Sequence, residues 1–141
     1  MNRILCATDG SENSHNAEIW AGKISAKLGS PLTYIYVTGV SAEDITGTVG
    51  DMVMIESVQE RKLEVLRHCK KIISEYSFNA NCIILDMHNI AESIVAYAEK
   101  GNYDHIVTGT KGHVEGIENL ILGSVATEII SKSKCAVTVM R

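Results

Sequence analysis

The chain has 141 residues, a net charge of −4, 45% hydrophobic residues and 21% charged residues, the proportions of one globular domain of ordinary size. No Lys/Arg run exceeds two residues and no apolar run approaches the roughly eighteen residues of a membrane span, so neither nucleic acid nor a membrane is expected as a partner. Ile4 already sits in an apolar strand-like run, so no cleavable leader is expected ahead of the fold, and four widely spaced cysteines that read as free thiols fit a reducing cytosol.

Arg3–Thr8 (RILCAT) reads as a strand that stops at a turn-and-cap cluster, DGSENS. Ala17, Trp20, Ala21, Ile24 and Leu28 then recur at helical spacing, with Gly29 as a stop. LTYIYVT after Pro31 is rich in β-branched and aromatic residues and reads as a second strand. Gly39–Gly50 holds three glycines without firm periodicity and is expected to be a loop. A long helix is expected over about Met52–Tyr76, with Ile55, Val58, Val65, Leu66, Cys69, Ile72, Ile73 and Tyr76 as its apolar stripe. Glu56, Glu60, Arg61, Lys62, Glu64, Lys70 and Lys71 are assigned to its solvated face.

NCIILDM gives a third strand, Ala91, Ile94, Val95 and Ala98 mark a third helix closed by Gly101, and HIVTG gives a fourth strand. A glycine-punctuated segment follows, then a helix from Ser124 to about Ser131 and a last strand, AVTVM. Strands alternating with helices in this way predict one α/β domain over 1–141, an open parallel sheet covered by helices on both faces. Ligands in such sheets bind beyond the carboxyl ends of the strands, which directs attention to the segments after Thr8, Val37, Asp86 and Thr108.

The segment after Thr108 is the most informative. Gly109 ends a strand where a side chain would obstruct close approach to the backbone, and Gly112 permits a turn through positive φ. Gly123–Ser124 opens the last helix, where unpaired N–H groups and the positive end of the helix dipole meet. Donors at both ends of one segment suit a phosphate, although a strand end and a plain helix cap would use the same residues. Neither GxxxxGK[ST] nor GxGxxG occurs, so P-loop lysine and metal chemistry is not expected. Asp9, at the end of the first strand, is placed equally to accept ribose hydroxyls or to form an Asx turn. Lys111 and His113 can reach a phosphate, but solvent exposure is the plainer reading of both.

Catalytic chemistry has little support. The five histidines show no metal-ligand spacing, no Ser/His/Asp or Cys/His set is apparent, and Cys6, Cys69, Cys82 and Cys135 are spaced like free thiols rather than zinc ligands. Asp9 and Asp86 both end strands, as in a phosphoacceptor receiver domain, but Asp9 lacks the acidic neighbour that such a domain uses. Trp20 and Tyr34 read as core residues.

Asp9-Gly10-Ser11, Gly109-x-x-Gly112 and Gly123-Ser124, together with AESIVAYAEKGNYDHIVTGTKG and LGSVATEIISKSKCAVTVMR, resemble the universal stress protein family over essentially the whole chain. The resemblance implies a five-stranded sheet in the order 3-2-1-4-5, Rossmann-like and akin to the adenine nucleotide alpha hydrolases. It implies ATP or AMP as a regulatory ligand, with Mg2+ or Mn2+ carried on the phosphates. Ala7, Thr8 and Asp9 would then meet base and ribose, and Val37 the adenine through its backbone. Thr108, Gly109 and Gly112 would follow the ribose and phosphates, and Gly123, Ser124 and Val125 would hold the phosphates. It also implies a homodimer paired through Ala136–Met140 and a protein partner of unknown identity. Ten residues (His113–Leu122) separate Gly112 from Gly123 where the family signature has nine, and His88 replaces a glycine common after the third strand. These departures keep two other readings open: a nucleotide-free interaction module of the same fold, and a slow ATP hydrolase.

Overall fold

The computed structural model describes residues 1–44, 49–110 and 122–141. The apolar runs fold as β1 (Ile4–Ala7), β2 (Leu32–Val37), β3 (Ala80–Leu85), β4 (His105–Gly109) and β5 (Ala136–Met140). Every pairing is parallel, and the order is β3-β2-β1-β4-β5, as the resemblance implied. Between the strands lie α1 (Glu12–Leu28), α2 (Val49–Tyr76), α3 (Ile90–Lys100) and α4 (Ser124–Lys132).

The central strands read as continuous apolar runs because both of their faces are covered. Alternation along β1 sends Ile4 and Cys6 to one side, where they meet Tyr34, Val107, Ala17, Ala21, Val65 and Cys69 under α1 and α2. Leu5 and Ala7 point the other way, to Ile35, Ile106, Ile94, Val95 and Ile129 under α3 and α4. Each large aliphatic side chain buried in these two layers contributes about 1.5–3 kcal/mol. Tyr34 lies fully inside, its hydroxyl donating to the Glu18 carbonyl at 2.8 Å, while Trp20 is half-buried against His105.

Helix ends follow local chemistry. Gly29 ends α1 in the left-handed region at φ 65°, returning its N–H to the Ser25 carbonyl. Asn89 caps α3 by accepting the Glu92 N–H at 3.1 Å. The expected Gly39–Gly50 loop is shorter than predicted: Ala42–Asp44 form a 3₁₀ turn and α2 already begins at Val49. The Asp44 carboxylate accepts the Ser41 N–H at 2.6 Å and so fixes that turn, and one glycine near a helix start costs only about 1 kcal/mol. The stripe expected along α2 is buried only in its second half, at Val65, Cys69 and Ile72. Ile55 and Tyr76 are exposed, as are Met52 and Val53 beside Ile55. All four cysteines are free thiols, Cys6 and Cys69 fully buried.

The winding direction reverses at β1, which lies between β2 and β4. Connections there diverge to opposite faces, so a crevice opens at the carboxyl ends of β1 and β4.

Candidate functional site

The crevice encloses about 370 Å³, within the ordinary range of small-molecule sites. Its residues come from the ends of β1, β2 and β4, from α1, α2 and α3, and from the start of α4. Ala7, Thr8, Asp9, Val37, Thr108, Gly109, Gly123, Ser124 and Val125, all singled out from the sequence, line this one space. Gly112, Lys111 and His113 lie outside the described residues.

On the β1 side, the Thr8 N–H donates to the Ile35 carbonyl at 2.9 Å, extending the ladder by one residue. The Thr8 hydroxyl turns inward: it accepts the Gly10 N–H at 3.1 Å and donates to the buried Glu18 carboxylate. Thr8 therefore offers the crevice its backbone rather than its hydroxyl. Asp9 Oδ1 accepts the Ser11 N–H at 2.9 Å, so the Asx turn is formed while Asp9 still faces the crevice. Gly10 sits at φ 74° with Val65 Cγ2 only 3.3 Å from where a Cβ would stand.

Val37 is placed by ladder geometry. In a parallel ladder successive residues bond to opposite neighbours. Ile35 bonds toward β1 through Thr8, and Thr38 bonds toward β3 by donating to the Leu85 carbonyl at 2.9 Å. The Val37 N–H and C=O thus point toward β1, two residues beyond the last β1–β2 pair, Ala7↔Ile35. Its peptide edge faces the crevice mouth, with Ile90 and Ile94 of α3 also lining the space.

On the β4 side, a Cβ on Gly109 would stand 2.5 Å from the Asn13 carbonyl oxygen. The glycine is required by the approach of α1 to β4, a packing reason beyond ligand access. Gly123 is the N-cap of α4, and its N–H donates to the Thr110 carbonyl at 2.5 Å. Its own carbonyl accepts both the N–H (3.0 Å) and the hydroxyl (2.9 Å) of Thr127. Ser124 and Val125 begin the helix, where N–H groups have no intrahelical partner and the dipole presents its positive end.

Sequence reasoning missed Arg61. Assigned there to a solvated face, its guanidinium instead donates to the Asp9 carbonyl and lines the crevice. It also lies against Tyr36, whose phenol is pushed up by burial while Arg61 pulls it the other way. The signal was available: Arg61 is four residues before the buried Val65, on the same helix face. Lys62 is likewise not free, pairing with Asp86 Oδ2 at 2.5 Å. His88, which stands where the family commonly has a glycine, is 78% exposed and faces Asp44 Oδ2 at 3.3 Å, outside the crevice.

An open parallel sheet with a crevice at its switch point, one wall of which is a helix N-terminus, defines a doubly wound α/β domain with its crevice where such sheets place their ligands. The family model described as "Universal stress protein family" matches residues 1–141, and the chain belongs to that family. It is 34% identical over 140 residues to the universal stress protein MJ0531 of Methanocaldococcus jannaschii, covering 99% of this chain and 81% of that one. Among solved structures, the universal stress protein UspA from Lactobacillus plantarum superposes with a TM-score of 0.84 at 20% identity, covering 99% of this chain and 97% of that one. The universal stress protein from Archaeoglobus fulgidus in complex with dAMP gives 0.69 at 17% identity, covering 100% and 98%. Other neighbours of this fold were solved with AMP or cAMP. No described helix is long and apolar enough to cross a membrane.

Proposed function

We propose that this chain binds an adenine nucleotide, ATP or AMP, in the crevice as a regulatory ligand of a stress response. The observation that carries the reading is the convergence of the Val37 peptide edge, the Asp9 carboxylate and the α4 N-terminus on one space. The adenine would lie against Ile90 and Ile94 with its edge on the Val37 N–H and C=O. Asp9 would accept from the ribose, while Thr108, Gly109 and Gly112 run along ribose and phosphates. Gly123, Ser124 and Val125 would hold the phosphates with backbone N–H groups and the helix dipole. Arg61 adds a cation to the same space. Mg2+ or Mn2+ would enter on the phosphates rather than through protein ligands.

Binding by relatives of the same fold to AMP, dAMP and cAMP supports the reading. We further propose that the chain is cytoplasmic and forms a homodimer through β5, which among the described residues is an edge strand whose free ladder invites a second copy. Nucleotide occupancy would then alter the surface around residues 113–122 offered to a protein partner. The extra residue between Gly112 and Gly123 favours a second reading, an interaction module of the same fold without nucleotide. Slow ATP hydrolysis ranks third, since the described crevice residues include no histidine and only one acid, Asp9, to act as base.

Denaturing the purified protein and assaying released adenine nucleotide, followed by ATP and AMP calorimetry, tests the reading. No binding at about 1 mM, some 4 kcal/mol of affinity, would overturn the nucleotide reading and leave the interaction module in its place to be tested. Gly123→Val is the site variant. The Gly123 backbone, at φ −65° and ψ 161°, accepts any residue without strain, so the loss of binding expected reflects the side chain over the cradle.

A further inference from the structure

Glu18 on α1 is the most deeply buried charged side chain among the described residues, at 1% exposure. Its two carboxylate oxygens have different surroundings. Oε1 accepts from the Thr8 hydroxyl and from the Ser14 hydroxyl at 2.9 Å. Oε2 faces away from them, 2.6 Å from His68 Nε2 and 3.9 Å from His15 Nδ1. Among the described residues no lysine or arginine pairs with it; the two imidazoles are its only basic neighbours. Buried charges in proteins are characteristically paired or bound to a metal ion.

We propose that His15, Glu18 and His68 form a binding site for a zinc-type divalent transition metal. His15 and Glu18 are one turn apart on α1, His68 projects from α2, and their three ligand atoms lie within 4.8 Å of one another. Tetrahedral zinc with N and O ligands near 2.0–2.1 Å spaces its ligand atoms about 3.3 Å apart, so the close His68 contact opens slightly and the His15 ring swings in. The His15 side chain is 43% exposed and can make that movement; His68 at 25% leaves the outer side of the cluster open to water as fourth ligand and entry path. Two imidazoles and one carboxylate suit zinc, cobalt or nickel rather than magnesium or calcium, which prefer oxygen alone. The Thr8 and Ser14 hydroxyls orient the carboxylate from behind, as outer-shell groups do around metal-binding carboxylates.

The metal would pin α2 to α1 two turns along α2 from Arg61, the residue that reaches over the crevice. The proposal does not depend on nucleotide binding. Sequence spacing hides the set, because His68 is fifty positions from Glu18.

The test is titration of the full chain, free of nucleotide, with Co2+ and Zn2+. Cobalt is expected to give the visible d–d absorption of four-coordinate N/O ligation, displaced by one equivalent of zinc. Zinc is expected to raise Tm. Ser14→Ala should weaken zinc binding roughly tenfold, and His15→Ala and His68→Ala by more than that. His15→Ala alters a partly exposed residue and remains a usable variant if His68→Ala fails to fold. Three results would overturn the proposal: no cobalt band, sulfur-to-metal charge transfer that puts the metal on cysteines, or zinc affinity and Tm shift unchanged in His15→Ala.

Discussion

Along its β1–α1 side the crevice is held by side chains: Thr8 and Ser14 on Glu18, Glu18 on His68, Arg61 on the Asp9 carbonyl. Along its β4–α4 side it is held by backbone. Gly109 touches α1 through its bare Cα, and Gly123 binds Thr110 main chain to main chain. The first wall is a buried polar network, in which losing one member strands the others. The second depends on the absence of side chains, so it tolerates polarity changes and fails when volume is added.

The largest effect should come from the network. Glu18→Ala removes the carboxylate that accepts the Thr8 hydroxyl and faces His68, while Ser14 keeps the Ser11 carbonyl at 2.9 Å, and is expected to lower unfolding free energy by about 3 kcal/mol, measured by urea titration. A loss below about 1 kcal/mol would mean that water replaces the carboxylate and the two walls do not differ as described. Next, Gly109→Ala sets a methyl 2.5 Å from the Asn13 carbonyl and should cost about 2 kcal/mol. Stability unchanged in the same titration would show that the α1–β4 approach is loose.

Arg61→Met separates support from binding. It keeps much of the side chain's bulk while removing the donor to Asp9. AMP affinity by calorimetry should fall about tenfold, some 1.4 kcal/mol, with folding stability changed by less than about 1 kcal/mol. Equal losses in both would make Arg61 a structural tie only.

The smallest effect is expected at His105, at the opposite end of β4 from the crevice. Burial holds its pKa below the ordinary 6.5, against the upward pull of Asp104 and with the N-terminal ammonium adding to the depression. The native ring therefore stays neutral while the unfolded one takes a proton. Its contribution is complete above pH 6.5 and is lost as pH falls through that value toward the native pKa. His105→Gln should flatten the stability profile over that range without affecting the crevice; an unchanged slope would assign the acid sensitivity to other groups.

Much of the fold was legible because strands buried on both faces read as short apolar runs, and because Gly29 and Gly101 mark helix ends by local chemistry. The glycine wall was legible for a related reason: Gly109 and Gly123 announce themselves in the chain. The side-chain wall was not. Arg61 meets Asp9 across 52 positions, a contact that exists only once α2 has crossed the end of β1. Its charge made it look like surface, although its spacing to Val65 placed it on the buried face. Asp9 shows the converse limit, since one local pattern served both readings and the realised Asx turn leaves it facing the crevice as well.

The bond from the Gly123 N–H to the Thr110 carbonyl has a consequence for the extra residue between Gly112 and Gly123. Thr110 is itself tied to the sheet, donating its N–H to the Met140 carbonyl at 3.0 Å. The span from Thr110 to Gly123 is thus fastened at its neck, and a neck fixes the positions of both ends whatever the length between them. The α4 N-terminus is therefore registered to the end of β4, and through Met140 to β5, by two main-chain bonds alone.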